Sequence, residues 1–129
     1  MVHPERDMFE DLSGWSLVVH GKGGKRREVP LLEDVARELR ALGPGYAFPG
    51  EDDGHLSPRW VGTLIGRLLP GDYTMHKLRH RAGTLWHDQI GDLAVVQDLL
   101  GHADPKTTRV YVRVNAQRMR EAVEGAARR

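Results

Sequence analysis

From Ser57 onward the chain is cut into short helices by its own start and stop signals, and this punctuation limits the folds open to it. Ser57-Pro58 places a capping hydroxyl before a proline at the first helical position. Trp60, Val61, Leu64, Ile65, Leu68 and Leu69 recur at helical spacing and form the predicted apolar face, until Pro70-Gly71 stops the run. Thr74 opens a second helix to about Gln89, with Leu78, Ala82, Leu85 and Trp86 directed inward. Asp92 caps a third, carrying Leu93, Val96, Leu99 and Leu100, and Gly101 ends it. Pro105 begins a further short helix with Val110 and Tyr111, and Asn115 caps the last, residues 116–127.

The N-terminal part reads differently. Trp15-Ser16-Leu17-Val18-Val19-His20 alternates and is rich in β-formers, which predicts a strand. Gly21-Lys22-Gly23-Gly24 is a turn, since glycine tolerates positive φ. Lys25 through Leu31 returns as the second strand of a hairpin tipped with lysine. Leu32, Val35, Ala36, Leu39 and Leu42 then follow helical spacing up to Gly43-Pro44. Residues 43–56 are turn-rich and acidic, with Tyr46-Ala47-Phe48 as a short extended segment. There is no internal repeat. The expected fold is mainly α with a small N-terminal β-hairpin or sheet, an α+β domain.

With 129 residues the chain has the length for one domain around one core. No apolar run approaches a membrane span, and no stretch reads as a signal peptide. Without cysteine there is neither a disulfide framework nor a thiolate metal site, so a cytoplasmic setting is the default. The formal net charge of +1 does not announce a nucleic-acid binder, but its distribution is uneven. Residues 57–81 hold Arg59, Arg67, Lys77, Arg79 and Arg81 against Asp72 alone. Residues 106–120 hold Lys106, Arg109, Arg113, Arg118 and Arg120 with no acid. A basic face on a near-neutral body suits a phosphate backbone, and it equally suits a solvated surface.

Five residues carry candidate chemistry. His76 and Arg79 lie three apart on one predicted helix and share a face. Arg79 offers a planar fork for two phosphate oxygens, and His76 a proton donor or acceptor near neutral pH. His102 follows a helix-ending glycine, just before a helix start that favours a bound anion. Tyr111 comes nine residues later. Its hydroxyl titrates near pH 10 and becomes a nucleophile only with a base or cations beside it. Lys22, flanked by glycines at the hairpin tip, can deliver a proton. Each has an ordinary alternative: a satisfied histidine, a surface arginine, a core tyrosine, a solvated turn lysine. His76 and His80 at i and i+4 lack the glutamate of the H-E-x-x-H pattern, which argues against a metal site.

Taken together, three segments resemble the catalytic domain of the tyrosine recombinases, the phage-integrase family. They are Val19-His20-Gly21-Lys22-Gly23-Gly24-Lys25-Arg26-Arg27-Glu28-Val29-Pro30-Leu31, then His76-Lys77-Leu78-Arg79-His80, then Leu99-Leu100-Gly101-His102 through Thr107-Thr108-Arg109-Val110-Tyr111. The resemblance implies that Tyr111 attacks a scissile DNA phosphate and forms a 3′-phosphotyrosyl link. It implies that Lys22 protonates the leaving 5′-hydroxyl, that Arg79 and His102 hold phosphate oxygens, and that His76 assists proton transfer at Tyr111. No metal, ATP or other cofactor is implied. Lys25, Arg26, Lys77, Arg81 and Arg109 become candidate backbone contacts. The implied partner is double-stranded DNA, with a homo-oligomer assembled on it, in a bacterial or phage-encoded protein.

The sequence also departs from that family. Its members carry another catalytic arginine, in a G-L-R-type motif on a helix before the hairpin. The 21 residues before Lys22 contain one arginine, Arg6, outside such a motif. Residues 1–129 are therefore expected to be the C-terminal part of the catalytic domain, without its first part and without the N-terminal DNA-clamping domain. On this expectation DNA recombination by the chain alone is weak or absent, and the alternative is a non-catalytic DNA-binding or regulatory remnant. A metal-dependent nuclease using the histidines is a third reading, disfavoured by the lysine–tyrosine pairing.

Overall fold

Three antiparallel strands, in the order β1-β2-β3, lie against a helical body. They are β1 (Met8–Asp11), β2 (Gly14–His20) and β3 (Arg26–Pro30). The structure is a computed structural model that describes residues 1–101 and 109–128, and the side chains of Lys22 and of residues 109–115 fall outside that description. The β2–β3 hairpin is as expected, with His20 opposite Arg26 and Val19 opposite Arg27. Its tip is a short 3-10 turn, Lys22–Gly24, in which Gly23 and Gly24 adopt φ of 70° and 72°. The Gly21 N–H closes the turn by donating to the Lys25 carbonyl at 2.7 Å.

β1 was not legible as a strand. It pairs with β2 from Met8 opposite Leu17 to Asp11 opposite Gly14. The sequence Met8-Phe9-Glu10-Asp11 hides it, since two of its four residues are acids on an exposed edge. One helical turn, α1 (Pro4–Asp7), precedes it.

α2 (Glu33–Ala41) buries Ala36, while Val35 and Leu42, from the same apolar spacing, are exposed. The extended segment expected at Tyr46–Phe48 forms slightly later, as β4 (Pro49–Asp52). α3 (Pro58–Leu68) begins as predicted, with Ser57 Oγ accepting from the Trp60 N–H at 3.2 Å. Its apolar face is only partly used: Val61 is buried, but Trp60 and Leu68 are 44% and 84% exposed.

α4 (Met75–Ile90) and α5 (Leu93–Leu100) start at Thr74 and Asp92, whose side-chain oxygens cap backbone N–H groups. Gly91 and Gly101 end them in left-handed conformation. Gly83 lets α4 approach α5 closely: a Cβ there would sit 3.3 Å from Leu100 Cδ1. Leu93, at the first helical position after the Asp92 cap, is 60% exposed although it belongs to the apolar run of this helix.

The C-terminal region corrects one expectation. A single helix, α6 (Arg109–Ala127), replaces the two predicted, and Asn115 lies within it rather than capping it. No glycine or proline interrupts residues 109–124, and one asparagine in a helix interior costs only about 0.5 kcal/mol. The expected start at Pro105 lies outside the described residues. The core forms where α4, α5 and α6 meet: Val95, Leu99 and Ala122 are buried, with Trp86, Ile90, Met119 and Val123 packed against them. No described helix is long and apolar enough to cross a membrane.

Candidate active site

α4 presents His76 and Arg79 on its exposed surface, one turn apart. Arg79 reaches over the end of α5, where its Nη2 donates to the Leu100 carbonyl. That carbonyl is one of the unpaired acceptors every helix leaves at its C-terminus. Gly101 follows with φ of 84°, a conformation that glycine adopts without penalty.

The hairpin meets this turn from the other side. Strand alternation points Arg26 and Glu28 one way, 3.9 Å apart, and Arg27 the other. The Arg27 guanidinium packs on Gly101 so closely that a Cβ there would lie 2.8 Å from Cζ. Its Nη1 is also 3.9 Å from the place of a Cβ on Gly21. The Arg27 Nε is buried and finds no hydrogen-bond partner among the described residues. Burial first, and then the charge of Arg79, push the Arg27 guanidinium below its usual pKa. Two like-charged arginines thus flank the turn that leads to position 102.

The structure therefore unites the base of the Lys22 turn, Arg79 and the Gly101 turn. His102 itself lies outside the described residues. Tyr111 falls in the N-terminal part of α6, with its side chain outside the description. The chain places α6 through its later residues. Arg118 Nη1 meets Asp92 Oδ2 at 2.7 Å, and buried Arg120 donates from Nη2 to the Trp15 carbonyl at 2.6 Å and to Ser16 Oγ at 3.2 Å. α6 packs on the body of its own chain.

Of the candidate backbone contacts, Lys25, Arg26 and Arg81 are exposed. Lys77 is exposed too but engaged, with Nζ 2.9 Å from Asp72 Oδ2 and 3.1 Å from the Asp72 carbonyl. The Arg109 side chain is outside the description. Arg6 does not stand in for a phosphate arginine: it bonds Asp7 at 3.4 Å and stacks over Tyr46 at 5.5 Å. Arg27 is the residue that sequence reasoning missed. Its signal was the alternation of β3, which separates it from its basic neighbours Lys25 and Arg26.

A buried carboxylate braces the end of β2 next to the turn. Asp7, 2% exposed, accepts from the His3 N–H at 2.8 Å and lies 3.2 Å from His20 Nε2. Burial alone would raise its pKa, but the hydrogen bonds from His3, His20 and Arg6 outweigh it and hold the carboxyl below its ordinary value. His20 is the last residue of β2, two positions before Lys22. Among the described residues no three histidine, aspartate or glutamate side chains converge as metal ligands. The arrangement suits a tetrahedral anion: a planar fork, a second guanidinium and an exposed imidazole at one end of a helix pair.

The chain matches the model of the phage integrase family over residues 9–118. It is 39% identical over 125 residues to the tyrosine recombinase XerC of Methylobacterium sp. (strain 4-46), covering 86% of this chain and 39% of that protein. It is 33% identical over 137 residues to the tyrosine recombinase XerA of Pyrococcus furiosus, covering 92% of this chain and 46% of that one. Among solved structures, the integrase from mycobacterium phage Brujita superposes with a TM-score of 0.68 at 27% identity, covering 94% of this chain and 44% of the other. The XerH site-specific recombinase, bound to palindromic difH substrate in a post-cleavage complex, gives 0.55 at 26% identity, covering 92% and 38%. The chain spans less than half the length of each of these relatives.

Proposed function

Starting from the chain's membership of the phage integrase family, we propose that its site breaks and rejoins DNA by phosphoryl transfer through a tyrosine. Tyr111 Oη attacks the scissile phosphorus and forms a 3′-phosphotyrosyl bond as the bond to the 5′-oxygen breaks. Lys22 gives a proton to that departing oxygen, and His76 assists removal of the Tyr111 proton. Arg79 and His102 hold the non-bridging oxygens, where charge accumulates in the transition state. A 5′-hydroxyl attacking the phosphotyrosine reverses these steps and rejoins the strand. The phosphodiester energy is retained in the protein link, so the scheme consumes no ATP.

The observation that carries this reading is the meeting of Arg79 with the Leu100-Gly101 turn beside the hairpin tip. It joins, in one place, three segments far apart in sequence that the resemblance had singled out. We further propose that residues 1–129 form the C-terminal part of a catalytic domain whose substrate is double-stranded DNA, with oligomers forming on it. Lys25, Arg26, Lys77, Arg81 and Arg109 are proposed to hold the phosphate backbone and set register without reading bases. In this scheme Lys77 exchanges Asp72 for a phosphate.

The test is a nicked suicide duplex incubated with the protein in chelator. A denaturant-resistant protein–DNA adduct is the expected product. Duplex binding without any adduct would instead favour a non-catalytic DNA-binding role, and cleavage that chelator abolishes would overturn the scheme.

A further inference from the structure

The mechanism leaves Arg27 unused, yet this side chain lies at two turns of the site. Its guanidinium lies against Gly101, which precedes His102, and near Gly21, which precedes Lys22. It is close enough to Arg79 for the two charges to oppose one another. Three segments that would act on one phosphate are therefore held around one side chain.

A purely structural arginine in such a place is ordinarily matched by acceptors, because buried donors in folded proteins are almost always bonded. Arg27 Nε is buried without one among the described residues. Arg79, for its part, has a neutral acceptor at Leu100. A cationic pair in this state is what an anion stabilises, and a phosphodiester matches guanidinium geometry. Gly101 is the necessary counterpart: any side chain there would overlap the Arg27 Cζ and Nη1, each 2.8 Å from its Cβ.

We propose that Arg27 is a positioning residue of the phosphate site, clamping the hairpin tip at Gly21 against the Gly101 turn beside Arg79, with the paired charge neutralised by a DNA phosphate. The proposal rests on the phosphotransfer reading above. Arg27 acts through its neighbours: it sets where Gly21, Gly101 and Arg79 stand relative to one another. It is distinct from the helix-borne arginine of the family, since it sits on β3, after Lys22.

The experiment follows the side-chain Nε–H of Arg27 by proton–nitrogen correlation NMR of the full chain, assigned by its loss in Arg27→Lys. The protein is titrated with inorganic phosphate and then with duplex DNA. The Arg27 resonance is expected to shift in both titrations, and the shift to vanish in Arg79→Gln. In parallel, Arg27→Lys keeps the charge and loses the planar face. It is expected to slow adduct formation at saturating suicide duplex by about tenfold or more, with half-saturation within about threefold of wild type. An Arg27 resonance unmoved while backbone amides report duplex binding would overturn the proposal and leave the DNA reading standing. Adduct formation at the wild-type rate in Arg27→Lys would overturn it as well. If the wild-type chain forms no adduct, the phosphotransfer reading fails on its own, and the response of the Arg27 resonance to inorganic phosphate decides the proposal.

Discussion

Arg79 on α4 donates through Nη2 to the carbonyl oxygen of Leu100, the last residue of α5. One guanidinium thus satisfies a helix C-terminus and presents its remaining donors outward. The two duties separate by magnitude. Arg79→Gln should lower adduct formation by about 10²–10³, while the lost hydrogen bond costs only about 1 kcal/mol of stability. Urea unfolding alongside the suicide-duplex assay measures both, and a stability loss as large as the activity loss would refute the division.

Asp7 governs acid stability. Its carboxyl titrates below its ordinary value when folded, so the unfolded chain binds the proton more readily. The stability it contributes is complete above about pH 4 and drains away as pH falls through the folded value. Asp7→Asn should destabilise the protein by about 1–3 kcal/mol at pH 7 and flatten the acid limb of stability against pH. Chemical denaturation at a series of pH values reads this directly, and an unchanged acid limb in the variant would count against Asp7.

Asp92 does two jobs with one side chain. Oδ1 caps α5 by accepting from the Ala94 N–H at 3.0 Å and the Val95 N–H at 3.4 Å, and Oδ2 holds Arg118 at 2.7 Å. Asp92→Ala should cost about 1–2 kcal/mol, mostly from the cap. Arg118→Ala should cost under about 1 kcal/mol, as expected for a partly exposed ion pair. A double-mutant cycle on thermal unfolding separates the two, and equal costs would show that the cap contributes little.

Arg120 fastens α6 to the sheet of its own chain. It is 7% exposed, and Gly14 makes room for it, since a Cβ there would meet Nη1 at 2.8 Å. Arg120→Met leaves the Trp15 carbonyl without this donor and should cost about 1–3 kcal/mol. Loss of stability independent of protein concentration supports packing within one chain, whereas a concentration-dependent midpoint would mean that α6 is shared between copies.

The helix starts were readable because each cap is local: Ser57, Thr74 and Asp92 carry their acceptors within three residues of the N–H groups they satisfy. The hairpin was readable for the same reason, in its alternation and its glycines. Burial was less so. Periodicity placed Trp60, Leu68 and Leu93 in apolar runs, but it counts apolar residues and is blind to whether another element covers them. Asn115 was misread as a boundary because a residue that favours caps also fits inside a helix at small cost, and no glycine or proline beside it breaks the run. In the site, His76 and Arg79 stood out by spacing on one helix. Arg27 did not, because its role depends on where Gly101 arrives, 74 residues later, and no local pattern encodes that meeting.

The central claim is that Tyr111 is the nucleophile. It is tested by trapping the protein on a nicked suicide duplex, digesting the adduct and identifying the nucleotide-bearing residue by mass spectrometry, beside the Tyr111→Phe variant. The account predicts a 3′-phosphate linked to Tyr111 and no adduct in the variant, with duplex binding retained. An adduct that persists in Tyr111→Phe, or one mapped to another residue, would contradict it.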